Sequence, residues 1–350
     1  MLAPLKALEQ LQARLRETIN ALPLDQSAGF VSLILELPHT LNIAPALAGP
    51  QFHLAHNHRS ELRAGYGIAG EWRAEGPERL PILRAAVKAA TANWQQVDPD
   101  ETGFSGFGLL GLAASPHPPL HADQDDLPNA LFWLPELALC SRADSAALIL
   151  TTALPARRDE LLSRWAARLD EIVPLLALPA LDPLTPAHLE RGVSEPERET
   201  WHELVCAALD EIDEERLEKV VLCRRLRLEG HRRFDLTRLN AALTYLFPSC
   251  QVVSIRRHRR SFVAATPERL FTQCRDRIEA DAIAGTACRA EDAERDAAMT
   301  QALRTCEKNL REHQVVVEAV TAALRQCSRH LEPVDGPQIL QLNNAQHLWS

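Results

Sequence analysis

The sequence predicts an α/β (α+β) fold in which strands pair mainly antiparallel and amphipathic helices cover them. Three observations carry that expectation. Residues 4–21 place Leu5, Leu8, Leu11 and Leu15 on one stripe at the helical period. Four strand-like runs, Gln251–Arg256, Ser261–Ala265, Arg269–Cys274 and Arg277–Asp281, follow one another across short turns. Parallel neighbours need crossovers of about a dozen residues or more, so these runs suit hairpins. Finally, 350 residues with 46% apolar and 24% charged side chains can bury a large core.

The remaining elements follow in order. Phe30–Leu37 reads as a strand ended by Pro38. Arg63–Ala69, Gly106–Ala113, Ala130–Cys140 (interrupted by Pro135) and Ala146–Thr152 are further strand candidates separated by Gly and Pro. Arg157–Leu175 has helical periodicity. Pro179, Pro183 and Pro186 make 178–195 the linker-like segment, dividing an N-terminal part (1–177) from a catalytic part (196–350). After it come a carboxylate-rich helix, Glu197–Asp213, and a strand, Lys219–Leu228. One long helix is expected over 291–327, with Leu303, Cys306, Leu310, Val317, Val320 and Leu324 on its apolar stripe. Ile339–Ser350 reads as a loop, or as a terminal strand docked in a sheet.

Composition narrows the class. A net charge of −9 argues against nonspecific nucleic-acid binding, but a local Lys/Arg cluster still permits an anionic substrate. The eight cysteines show no C-x-x-C spacing, which argues against a zinc site. The N-terminus carries Lys6, Glu9, Arg14 and Glu17 through a helical pattern, unlike a signal-peptide core, and no run has the length of a membrane span. A reducing cytoplasm is the simplest compartment.

Several short runs carry groups suited to chemistry. Lys219 precedes Val220-Val221-Leu222 on the expected strand. If it shares the core-facing side, a desolvated lysine can serve as general base; otherwise it is a strand-end lysine with its head in water. Glu268 follows Pro267 at a strand entry and would act as a general acid if kept protonated; alternatively it is a solvated turn carboxylate paired with Arg269. Gly285-Thr286 would let backbone and a hydroxyl approach a carboxylate ligand, or would form an ordinary turn. Glu312, beside His313, is an oxygen donor suited to Mg²⁺, or one half of an i,i+4 pair with Lys308. His347 would donate to an anion or merely cap a strand.

Taken as a set, Lys219–Arg224, Ala265–Leu270, Ala284–Thr286, Lys308–Val316 and Gln346–Leu348 resemble, in order and approximate spacing, the motifs of the chorismate-utilising enzymes. They are most similar to the isochorismate synthases of menaquinone and siderophore pathways. The resemblance is strong from about 196 to 350 and general before that. It implies an α/β fold with a large antiparallel β-sheet core and helices packed outside.

By that resemblance, Lys219 would activate the water that attacks C2 of chorismate, and Glu268 would protonate the departing C4 hydroxyl. Glu312 would bind Mg²⁺, and Gly285, Thr286 and His347 would line the substrate pocket. Chorismate is the implied partner, with no nucleic acid and no membrane, and the chain is expected to be a monomer. The lysine discriminates against the ammonia-using relatives, which generally carry glutamine or another residue there. Salicylate synthases share the lysine but tend to have K-E where this chain has Lys308-Asn309. Thr266 replaces the usual serine, and Ala290 stands where glycine often follows the arginine. Such enzymes continue for roughly another hundred residues past the Q-H-L motif. The expectation is therefore an isochorismate synthase truncated at its C-terminus. The alternatives are a salicylate synthase or a truncated non-catalytic remnant.

Overall fold

The computed structural model of the chain describes residues 2–37, 51–56, 59–117, 127–177, 189–230, 234–258, 260–332 and 336–350. In chain order the first elements are α1 (Leu2–Thr18), β1 (Gly29–Glu36), β2 (Phe52–His56), β3 (Glu61–Tyr66), β4 (Gly70–Ala74), α2 (Arg79–Ala92), β5 (Trp94–Val97), β6 (Leu109–Leu112), β7 (Ala130–Leu134), β8 (Leu137–Arg142), β9 (Ser145–Leu154) and α3 (Arg158–Ile172). Then come β10 (Leu189–Glu195), α4 (Arg198–Asp213), β11 (Arg225–Gly230), α5 (Leu236–Leu246), β12 (Gln251–Arg257) and β13 (Arg260–Thr266). The last are β14 (Thr272–Cys274), β15 (Arg277–Glu279), β16 (Ile283–Cys288), α6 (Ala293–Thr305), α7 (Glu307–Arg325), β17 (Gln338–Gln341) and β18 (Ala345–Trp349).

Two compact units result. One comprises residues 1–183 and 236–267, the other 184–235 and 268–350. The prolines of the linker-like segment lie outside the described residues. Its last part, Leu189–Glu195, is β10, paired antiparallel with β11.

The first unit holds an eight-stranded sheet in the order β13-β12-β2-β3-β8-β9-β1-β5. Every neighbouring pair is antiparallel except β1 with β5. Alternate residues of β1 go to opposite faces. Val31, Leu33 and Leu35 meet α1 and α3, while Ile34 packs with Ala138 and Ile149 on the other side. The helices are held by their stripes. Leu11 and Leu15 of α1 and Leu161, Trp165 and Leu169 of α3 recur at i, i+4 and are buried together. Each such leucine stabilises the fold by roughly 1.5–3 kcal/mol relative to an exposed position. Asp159 and Glu160 occupy the first turn of α3, where negative charge suits the helix dipole.

A smaller sheet, β4-β7-β6, carries α2 through Leu83 and Ala90 against Phe30, Phe132 and Leu134. Pro135 does more than interrupt a strand. It lies between β7, in this smaller sheet, and β8, in the large one. A residue without a backbone N–H is tolerated at such a junction because no ladder bond is required of it.

The second unit is built around the three-stranded sheet β16-β18-β17, with α6 and α7 packed on it. The terminal strand β18 is its central strand, so the chain end docks in a sheet. Gln346 anchors that strand. Fully buried, it accepts a hydrogen bond from the Thr300 hydroxyl of α6 at 2.6 Å and donates to the Cys288 carbonyl at 3.3 Å. The Asp292 side chain caps α6 by accepting from the Arg295 N–H at 2.8 Å.

Two expectations need correcting. The single long helix is two helices, because Cys306 adopts an extended conformation with ψ 110° between α6 and α7. The strand expected from Lys219 begins only at Arg225. No strand among the described residues pairs with 219–224, and Val221 is 79% exposed, so apolar sequence alone did not produce a ladder there. All eight cysteines are free. No helix among the described residues is long and apolar enough to cross a membrane.

Candidate active site

All six candidate residues fall in the second unit. Gly285 marks the centre of the arrangement. The pairing of β16 with β18 slips between Ala284 and Thr286, so Gly285 is the extra residue of a bulge. Its φ is +77°, in the region that disfavours a side chain. A Cβ built there would stand 3.2 Å from both Asn309 Cβ and Leu348 Cδ1. The glycine thus lets α7 pack closely on the bulge. That is a packing reason for glycine, and differs from the close approach to a ligand that the sequence suggested.

After the bulge, Thr286 lies opposite His347. Its hydroxyl and the His347 Nδ1 are 3.0 Å apart, and either is donor according to the imidazole tautomer. His347 is half-buried. Burial is the largest influence on it and holds it below the ordinary imidazole value. The Gly285 carbonyl and the negative charge of Glu268 oppose that shift. Glu268 therefore lies within electrostatic reach of His347. It sits on an exposed bend between β13 and β14, four residues before β14 begins.

Lys219 is half-buried in the extended segment before β11. Its positive charge is felt at His313 of α7. His313 is buried, and its Nε2 is 2.8 Å from the Ser350 hydroxyl. Burial lowers its pKa most and the Lys219 ammonium lowers it further, while the Ala284 backbone acts the other way. The two charges assigned from sequence thus each act on a histidine of one layer, α7 with β16 and β18.

Glu312 precedes His313 on α7 and is half-buried. It is one helical turn from Asn309, the residue in contact with the bulge, and i,i+3 residues are neighbours on a helix surface. Among the described residues there is no group of three or more His, Cys, Asp or Glu side chains placed to hold a metal ion. An all-protein cage is therefore not what this surface offers. A single carboxylate fits only the Mg²⁺ mode in which one or two protein carboxylates are completed by waters and substrate oxygens.

Two charged partners next to the site were not recognised from sequence. Arg269 is committed to Asp281 through two hydrogen bonds, Nε to Oδ2 at 2.9 Å and Nη2 to Oδ1 at 3.0 Å. It also reaches Glu279 at 3.3 Å. The Trp349 indole N–H donates to Asp281 Oδ1 at 3.2 Å. The signal available was a lone arginine after Glu268 and an aspartate before the A-G-T run, with nothing in their spacing to join them.

Comparison with known proteins places this geometry among relatives. A family model described as "Chorismate binding enzyme" matches residues 20–350. The chain is 36% identical over 167 residues to the salicylate biosynthesis isochorismate synthase of Pseudomonas aeruginosa, a segment spanning 46% of this chain and 34% of that protein. It is 32% identical over 181 residues to isochorismate synthase MenF of Haemophilus influenzae, covering 50% of this chain and 40% of that protein. The chain thus aligns with well under half the length of these curated relatives. Among solved structures, MenF of Escherichia coli superimposes with a TM-score of 0.72 at 22% identity, covering 99% of this chain and 74% of that one. DhbC of Bacillus anthracis gives 0.61 at 19%, covering 86% and 66%. At these identities the structural likeness establishes the fold, a mixed α/β architecture with a large, mostly antiparallel sheet.

Proposed function

From the premise that this chain belongs to the chorismate binding enzyme family, we propose that it converts chorismate to isochorismate. The observation that carries the proposal is the layer of α7, β16 and β18, which sets Thr286 opposite His347 at 3.0 Å and carries Glu312, with Lys219 and Glu268 within electrostatic reach of its histidines. Lys219 and Glu268 are the two groups that the reaction needs, one to take a proton and one to give it. The relatives from Pseudomonas aeruginosa and Haemophilus influenzae bear the name isochorismate synthase, which supports the same reading.

In this mechanism a water adds at C2 while the C4 hydroxyl departs. Lys219 takes a proton from the attacking water. Glu268 gives a proton to the leaving hydroxyl, so one water enters and one leaves. Thr286 and His347, beside the Gly285 bulge, line the substrate pocket in this reading. The Thr286 hydroxyl, held at 3.0 Å from the His347 ring, is oriented before substrate arrives. A bound Mg²⁺, held by Glu312, would offset the negative charge of the substrate carboxylates. The chemistry belongs to residues 196–350 in this reading, and the protein works as a monomer in a reducing cytoplasm, with neither nucleic acid nor membrane as partner.

The direct test is incubation with chorismate and Mg²⁺, with the product identified by proton NMR. Isochorismate is expected, and a product that has lost its side chain or gained nitrogen would refute the assignment. Glu312→Gln tests the metal part. It is expected to raise the magnesium concentration needed for half-maximal activity and to lower activity together with it. An unchanged half-saturation point would put Glu312 on a face that no metal visits.

A further inference from the structure

The bend that carries Glu268 has little apolar packing to hold it. Glu268 is exposed, Leu270 is 86% exposed and Phe271 57%. A general acid needs a fixed position, because a displacement of about 1 Å can cost ~10²-fold in rate. Something other than burial must therefore fix this bend.

Within the bend, the Arg269 side chain is held on several sides. Its guanidinium is 14% exposed and faces the Asp281 carboxylate, itself 11% exposed, in a two-pronged contact. A third prong reaches the Thr272 hydroxyl at 3.3 Å, and Glu279 closes the far side at 3.3 Å. Asp281 is fixed in turn. The Trp349 indole donates to it, and its neighbour Ala282 exchanges two backbone hydrogen bonds with Ser350, at 2.8 and 3.0 Å. The chain of contacts runs from β18, through Asp281 and Arg269, to the residue that adjoins Glu268. His347 lies on the same strand, two residues before Trp349.

We propose that Asp281 is a positioning residue: through the Arg269 fork it pins the bend so that Glu268 stays beside the strand that carries His347. This rests on the reading of Glu268 as the general acid, but the geometry it asserts is testable without turnover. Arg269→Lys is the informative variant, since it keeps the charge and loses the planar fork. Glu268→Gln supplies the reference, because it removes the carboxylate charge that His347 senses.

The readout is the NMR titration of the His347 ring. Glu268 raises the pKa of His347 against the effect of burial. Loss of its charge, or its movement away, should therefore lower the titration midpoint. The midpoint is expected to fall in Arg269→Lys toward the Glu268→Gln value, with no further fall in the double variant. Asp281→Glu, which also keeps every charge but moves the carboxylate, should shift it in the same direction. If either variant leaves the His347 midpoint at its wild-type value and changes only the melting temperature, the pair is merely structural and the proposal is wrong.

Activity separates this from the functional reading. With chorismate, Arg269→Lys should lower kcat by about 10–100-fold with little change in KM. A His347 shift in Arg269→Lys, when the wild-type protein makes no isochorismate, would uphold the clamp and overturn the reaction. Normal isochorismate formation by Arg269→Lys with an unmoved His347 would uphold the reaction and overturn the clamp.

Discussion

Lys219→Ala is expected to lower isochorismate formation by about 10²–10⁴-fold while chorismate binds nearly as tightly as before. The expectation follows from where the lysine acts. Its proposed work is on the attacking water, in the transition state, so its removal should appear in kcat and leave ground-state affinity alone. Its charge is felt at His313, on the helix that also carries Glu312. Paired rate and equilibrium-binding measurements on the variant decide the matter. Near-normal turnover would remove Lys219 from the chemistry. An equal loss in affinity would make it a carboxylate-binding cation.

Trp165→Ala is expected to cost about 3–5 kcal/mol of folding stability, read as a lowered urea midpoint at unchanged slope. Trp165 is fully buried between α1, α3 and the face of the large sheet. Its indole N–H is buried with no hydrogen-bond partner among the described residues, so its contribution is packing and its polar atom is a liability. Trp165→Phe, which keeps most of the ring and discards the unpaired N–H, should therefore recover most of the loss. An alanine variant within about 1 kcal/mol of wild type would mean that this side of the sheet is not packed as described.

How much of this was legible in the sequence depended on the range of the interactions involved. The stripe of α1 and the apolar runs of β1, β8 and β9 are local signals, and they mark elements whose partners lie in a dense core. Helix α2 was missed because few of its positions are buried, leaving no wide apolar stripe. The break at Cys306 carries no Gly or Pro, and the apolar period runs across it unaltered. The run after Lys219 looks like a strand because Val-Val-Leu suits a strand. Whether a partner lies alongside is a tertiary fact that composition does not contain.

The site divides in the same way. Lys219, Glu268, Gly285, Thr286, Glu312 and His347 stand in short motifs and are visible one by one. The sequence does not show that Thr286 lies opposite His347, or that Gly285 has a positive φ with Asn309 and Leu348 packed close to it. The Arg269–Asp281 pair was invisible for a further reason. Its members are 12 residues apart across the β14–β15 hairpin, and the arginine read naturally as a partner for its neighbour Glu268.

The central claim, that water adds at C2 of chorismate on this chain, is tested most directly by running the reaction in water enriched in the heavy oxygen isotope. The product, examined by mass spectrometry and NMR, should be isochorismate with one heavy oxygen, located in the C2 hydroxyl. Isochorismate without label, or label retained with the original C4 oxygen still present, would contradict water addition at C2 and the roles given to Lys219 and Glu268.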